Sequence, residues 1–480
     1  MAILSLRFLE FVLVTLAIYY LIPYLLPRVF QNLFLLGASY YFYYTWGSYL
    51  PFILAGSALV NFGFGLWLHK STRFKKWILW LGVVMNAVIL IWFLVGGPYL
   101  KYANISPAIK VQLLPLIIIP VGISYYTLNN ISYLIDINLR IAKPVTNLID
   151  YALYLAYFPK LISGPLERAR KFVPMLAEKR IVDNQAIAHS LTLILIGLLR
   201  ASILGGLFAL FLPGKPLDNP AAFGNLNLIW AMLTFMFFLY NQFAGYTDIV
   251  RGVSGLFGIP LTKNFAQPFF SKDFSDFWQR WHISLSQWLR DYIYMPISRA
   301  FLRRNPNRTN IPNLIIPPLA TMLVSGLWHG TKPDLPIWGF FNFLVWGFFM
   351  GSLIMIENIR MLFRPAIPAK SIPAWRQILN SLFFVGIMIV VTAPFVVGLK
   401  TTLVYYRQLA LGWDWQIIDL RPLAILVVSL LLDWFQYRSG DEVVFLKWPG
   451  WLQTILIVSI TMGAIIIQHL QSAPPMFVYP

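Results

Sequence analysis

Residues 271–297, SKDFSDFWQRWHISLSQWLRDYIYMPI, and residues 325–330, SGLWHG, decide how this chain is read. They carry two of its five histidines, His282 and His329. At 100° per residue Phe274, Phe277, Trp278, Trp281, Leu285, Trp288, Leu289 and Tyr292 fall on one broad arc. Asp276, Arg280, Gln287 and Asp291 fall opposite, with Asp276–Arg280 and Gln287–Asp291 at the i,i+4 distance. The pattern predicts one amphipathic helix, with Ser271 as N-cap, Asp273 in the first turn and Pro296 limiting the far end. Such a helix cannot cross a bilayer alone; it lies in the interface or dips into the protein, with His282 at the edge of its apolar arc.

The second stretch is of another kind. Residues 313–328 (NLIIPPLATMLVSGLW) carry no charge and end at His329, flanked by Gly326 and Gly330. An imidazole at the end of an apolar run is costly to charge, and a neutral imidazole can accept a proton. The competing reading is packing: Gly326 and Gly330 form a G-x-x-x-G pair that lets two helices approach closely.

A chain that is 59% hydrophobic and 11% charged is no ordinary soluble protein. The aromatic content suits membrane interfaces, and most Trp and Tyr read as interface belt. With no cysteine there is no disulfide, thiolate nucleophile or Cys-based metal site, and the histidines lack the H-x-x-H and H-E-x-x-H spacings of zinc sites. The net charge of +19 reads as basic loops that fix topology, with attraction for anionic lipid head groups or an acidic or phosphorylated donor, rather than as nucleic-acid binding. The N-terminal apolar run lacks a small-residue cleavage site and reads as a retained anchor.

Apolar segments fall near 8–26, 30–45, 50–68, 77–96, 112–135, 190–212, 226–250, 313–329, 336–356, 377–398, 422–437 and 451–470. The fold class expected is therefore an all-α polytopic membrane protein with about 11–12 transmembrane helices plus re-entrant and amphipathic interfacial helices. Basic clusters at Lys70–Lys76, Arg140–Lys143, Lys160–Arg180, Lys263–Arg308 and Arg360–Arg376 are placed in the cytoplasm; twelve spans then put both termini outside. Residues 148–165 (LIDYALYLAYFPKLISGP) are broken by Pro159, Lys160, Gly164 and Pro165 and read as a re-entrant segment buried in protein. Residues 120–136 (PVGISYYTLNNISYLID) are too polar to face lipid, so Tyr125, Asn129 and Asp136 are cavity candidates, as is Arg168. Asp248 and Arg251 are either a helix-end ion pair or the lining of a polar cavity. One domain over 1–480 is expected, with core motifs in 120–345 and scaffold helices in 1–110 and 375–470.

PVGISYYT (120–127), LAYFPKLISGPLER (155–168), FAGYTDIVRGVSGLFGI (243–259), NFAQPFFSKDFSDFWQRWHISLSQWLRDYIYMPI (264–297) and SGLWHG together resemble the membrane-bound O-acyltransferase (MBOAT) superfamily. The likeness is to the branch that holds the alginate O-acetylation membrane protein and the teichoic-acid D-alanyl transferase. One departure is visible. Polysaccharide-acetylating members carry a second His-Gly a helix later, whereas IWGFFNF (337–343) has Asn342 and Phe343; the link TKPDLP (331–336) also differs.

The resemblance implies that His329 is the catalytic base and that His282 shares its pocket, with Asn342, Trp328, Arg280, Tyr125, Asn129 and Asp248 as substrate-tunnel candidates and no metal. His282 or Asn342 would orient the reacting groups or stabilise an oxyanion. On pattern alone, Arg280, Asp276 and Asp291 read as a structural network. No tightly bound cofactor is expected, only an acyl-thioester co-substrate, acetyl-CoA or acyl carrier protein. The implied partners are membrane lipids, the acyl donor, an exported polysaccharide acceptor and a periplasmic or extracellular acyltransferase, in a multi-pass plasma (inner) membrane setting. D-alanyl transfer to teichoic acid from a carrier protein is one alternative; a non-catalytic polysaccharide transporter or assembly scaffold is another.

Overall fold

The computed structural model describes the chain except residues 26, 28, 98–99, 101–105, 107–118, 179, 181, 308, 331–335, 364–373, 414–417 and 471–480; every element among the described residues is helical. Among the described residues, seven helices are long and apolar enough to cross a bilayer: Leu50–Lys70, Lys75–Gly96, Asn184–Phe211, Asn225–Leu256, Ile311–Trp328, Gly339–Leu362 and Gly450–Ile467. Of the 11–12 expected, the others are shorter, interrupted or more polar, or lie partly outside the described residues. Val29–Tyr44 has only 16 residues, about 24 Å of helix. The segment expected at 377–398 divides at Thr392 into Ala374–Val391 and Ala393–Val396. Arg421–Ser439 is helical but carries Asp433 between two arginines. Residues 112–118 of the span expected at 112–135 lie outside the described residues, as do residues 331–335 of the 331–336 link.

The chain forms two compact units. The first comprises residues 1–203, 242–263 and 442–480. Its centre is the helix Ile123–Asn138, 14 of whose 16 residues are buried, as its polarity demands. Asn130 Nδ2 donates to Ser57 Oγ (2.9 Å), Tyr151 Oη donates to Asn130 Oδ1 (2.8 Å), and Asn86 Nδ2 donates to Asn61 Oδ1 (2.7 Å). Each amide finds a partner, which is what burial without water requires. The expected broken segment is present: Leu148–Ala156 ends at Tyr157 and Phe158–Leu161 follows, all buried from Tyr151 onward. The freed backbone N–H of Phe158 is taken up by Ser39 Oγ (3.1 Å). Gly122 (φ 76°) lets this segment approach, because a Cβ there would collide with the Leu161 carbonyl.

The same unit holds a charge cluster. Glu442 accepts from Arg251 Nη2 (2.8 Å) and Lys263 Nζ (3.2 Å), and Arg251 also pairs with Asp248 (3.0 Å). Burial pushes the Glu442 carboxyl up, but Arg251 and Lys263 outweigh it and hold it down to about 2.

The second unit comprises residues 204–241 and 264–441. Its core is the pair of helices Ile311–Trp328 and Pro336–Leu362. Their close approach depends on small residues: a Cβ on Gly326 would collide with the Phe343 carbonyl, and one on Gly347 with the Met322 carbonyl.

The amphipathic stretch departs from the single helix expected. It forms Phe274–Arg280 and then Ile283–Leu289, with Trp281 extended and His282 left-handed (φ 43°, ψ 53°) between them. Ala266 N–H donates to the Arg280 carbonyl (3.0 Å) and Ile283 N–H donates to the Asn264 carbonyl (2.9 Å), so the preceding loop captures the groups a continuous helix would use internally. The N-cap is Asp273, whose Oδ1 accepts from Asp276 N–H (2.7 Å), rather than Ser271. Pro296 does not end the helical run; it enters the first turn of Met295–Arg304, where its missing N–H costs nothing.

Candidate active site

His329 sits at the C-terminal cap of Ile311–Trp328, its backbone N–H donating to the Gly326 carbonyl (3.1 Å). Gly330 follows with φ 77°, a left-handed turn that takes the chain out of the helix. The two glycines thus serve packing and termination, and both functions aim the histidine between them. The imidazole lies among four rings: Trp328 (centroids 5.0 Å apart), Phe395 (5.1 Å), Trp346 (5.3 Å) and Phe343 (5.8 Å). No described residue makes a hydrogen bond to the His329 side chain. Among the described residues, both ring nitrogens are therefore uncommitted.

His282 is buried, and its ring lies 6.1 Å from that of Trp328 and 6.5 Å from that of Phe265. Trp328 is thus a shared wall between the two histidines. Burial, and then the nearby His329, lower the His282 ring from the usual histidine range to about 3, so it is neutral at physiological pH. Its left-handed backbone is unfavourable for a residue with a Cβ, and such conformations collect at functional sites.

The other expected site residues separate into two groups. Asn342 is buried in the second unit, but its Oδ1 accepts from the Leu399 N–H (2.7 Å) and so starts the helix Leu399–Leu411. Arg280 pairs with Asp276 (2.8 Å), donates to the Ala266 carbonyl (3.2 Å) and covers the Tyr437 ring (5.6 Å); it braces the loop that shapes His282. Tyr125, Asn129 and Asp248 belong to the first unit. Tyr125 is buried beside Ser163. Asn129, with its amide turned to satisfy both ends, donates to the Glu167 carbonyl (3.0 Å) and accepts from Lys160 Nζ (3.3 Å). Asp248 is engaged by Arg251.

Trp346 and Phe395 complete the aromatic cage without having been singled out in the sequence. An apolar ring within an apolar run has no local signal; only the packing of Pro336–Leu362 and Ala393–Val396 reveals it. Among the described residues no group of three or more His, Cys, Asp or Glu side chains is placed to hold a metal ion.

A buried neutral histidine next to a second, half-buried one whose ring no described residue engages, in an aromatic setting, suits proton transfer during attack by a hydroxyl. Comparison with known proteins agrees with that chemistry. A model of the membrane-bound O-acyltransferase family matches residues 67–393. The chain is 31% identical over 417 residues to a probable alginate O-acetylase of Pseudomonas aeruginosa, covering 83% of this chain and 73% of that protein. It is 28% identical over 359 residues to a peptidoglycan O-acetyltransferase of Helicobacter pylori (69% and 65% covered). Over 300 residues it is 28% identical to a teichoic acid D-alanyltransferase of Streptococcus thermophilus (60% and 66% covered). The multi-span helical fold and the family match together make this chain an integral multi-pass acyltransferase of the membrane-bound O-acyltransferase family.

Proposed function

We propose that the protein moves an acyl group, most readily acetyl, from a cytoplasmic thioester to hydroxyls of an exported cell-surface polysaccharide, directly or through a secreted partner enzyme, in the plasma (inner) membrane. His329 is the general base. It takes the acceptor hydroxyl proton as that oxygen attacks the thioester carbonyl, and returns it to the thiolate as the C–S bond breaks. His282 and Trp328 line the same pocket. No covalent enzyme intermediate is required. The donor is acetyl-CoA or an acylated carrier protein, which the basic residues of the chain suit through phosphate or carboxylate charge.

The observation that carries this reading is the imidazole of His329, which no described residue engages by hydrogen bond, in its aromatic cage beside neutral His282. The relatives named for O-acetylation of alginate and peptidoglycan support an acetyl group and a polysaccharide acceptor. The D-alanyltransferase relative supports a second reading, in which alanine passes from a carrier protein to teichoic acid.

The deciding experiment compares the ester content of surface polymers in a deletion strain complemented with wild type or His329→Ala at equal membrane levels. Restoration by wild type alone is expected, and the released acid, acetate or alanine, names the acyl group. Equal restoration by both proteins would overturn the catalytic role and leave a transporter or assembly scaffold.

A further inference from the structure

Resting on the acyl-transfer reading, we propose that Asn264 is a further residue of the transfer site: its carbonyl and Oδ1 hold the His282 turn, and its Nδ2 donates to the acyl oxygen that becomes the oxyanion.

Asn264 is fully buried. Its backbone carbonyl accepts from Ile283 N–H (2.9 Å), and its side-chain Oδ1 accepts from Ser284 N–H (3.2 Å). These are the first two N–H groups after His282. His282 itself makes no side-chain cap bond, so Asn264 performs from another segment the task a local N-cap would perform. The left-handed conformation of His282 is therefore fixed by two bonds to one residue. The Ala266–Arg280 backbone bond, with the Arg280 guanidinium on the Ala266 carbonyl, extends the same clamp by two residues.

That task uses only acceptors. The Nδ2 amino group is left buried, with no hydrogen-bond partner among the described residues. An unsatisfied buried donor is destabilising, and an amide carries two N–H groups at that atom. A residue needed only to cap would avoid this cost with an oxygen alone. The amide instead keeps a neutral donor in a water-poor place, next to the residue that contacts His282 through the Phe265 ring. In acyl transfer the hydroxyl oxygen attacks the thioester carbonyl carbon, and the C=O electron pair moves onto oxygen. Nδ2–H stabilises that charge until the thiolate leaves, while His329 carries the proton. A fixed donor of this kind contributes most where charge appears only in the transition state.

The test is the initial rate of transfer from radiolabelled acetyl-CoA, or from an acetylated carrier protein, to polymer in membranes carrying wild type, Asn264→Asp or Asn264→Ala. Asn264→Asp keeps the oxygen acceptors and loses the donor. A fall in maximal rate of about 10²-fold is expected, with the half-saturating donor concentration changed by less than about threefold. Asn264→Ala loses cap and donor, and is expected to fall at least as far with the donor requirement again little changed. Should the aspartate variant fail to accumulate, the alanine variant decides alone. Wild-type maximal rate in either accumulated variant would overturn the proposal. So would a loss confined to the donor concentration needed. No transfer by wild type would instead overturn the acyl-transfer reading, and this inference with it.

Discussion

Lys160 in the first unit and His329 in the second are both surrounded by aromatic rings, yet their surroundings treat them in opposite ways. Lys160 Nζ lies over the faces of Tyr154 (4.8 Å) and Phe172 (5.3 Å) and donates to the Asn129 amide oxygen. Nearby Glu167 is fixed by Thr262, whose N–H (2.6 Å) and Oγ1 (3.1 Å) donate to its carboxylate. Burial lowers the lysine to about 7, and Glu167 pulls the other way. The His329 ring has other rings around it but makes no side-chain hydrogen bond to any described residue. The lesson is one of commitment. A buried ionisable group whose polar atoms are all engaged holds structure together, whereas one kept dry and unengaged is left free for chemistry.

His329→Ala tests this contrast most strongly. Polymer acylation should fall by about 10²–10⁴-fold, the range a positioned base supplies, with membrane level and melting temperature near wild type. A collapse of folding instead would make His329 a packing residue like Lys160.

Lys160→Met should do the reverse, leaving transfer within a few-fold of wild type. The folded value of the lysine lies below its unfolded value. The unfolded state therefore binds more protons between about 7 and 10.5, and wild-type stability rises with pH across that window. The methionine variant lacks this slope. Its advantage, about 1–4 kcal/mol for replacing a buried charge with an apolar chain, should be largest below pH 7 and fade toward pH 10 in thermal melts. His282 imposes a slope of the same sign at lower pH: wild type loses stability as pH falls from 6.5 toward 3, and His282→Gln should not. Loss of transfer in Lys160→Met would erase the distinction between the two regions.

Glu442→Gln should destabilise the first unit by about 3 kcal/mol, because Arg251 and Lys263 would lose their shared carboxylate. The wild-type contribution is present above the ordinary glutamate range and is lost as pH falls toward 2, so the gap between the two proteins should close on acidification. Asp276→Asn should have the smallest effect, under about 1 kcal/mol, since Asp276–Arg280 is a partly exposed i,i+4 pair. A larger loss of transfer than of stability there would show that the brace on the His282 loop is part of the site.

Much of the candidate site was legible because polarity inside an apolar chain is conspicuous. His282, His329, the asparagines of 120–136 and the break at Pro159 each contradict their surroundings, and each is buried or enclosed in the fold. Asn342 contradicts its surroundings too, but its oxygen caps a helix, a use that nothing in the local sequence distinguishes from lining a tunnel. The helix expected over 271–297 failed at Trp281 and His282 for the opposite reason. Its periodicity is sound on both sides, and the break comes from backbone groups of 264–266 that no periodicity can register.

The sequence alone determined an all-helical, multi-span chain with two histidines of unusual setting, because apolar length and misplaced polarity are properties of the residues themselves. Only the tertiary structure decided that Trp328 stands between those histidines, that Trp346 and Phe395 enclose His329, and that Asn264 bends the backbone at His282. Those facts depend on which distant segments meet, and the energy of such meetings is written in shapes and unpaired groups rather than in the order of residues.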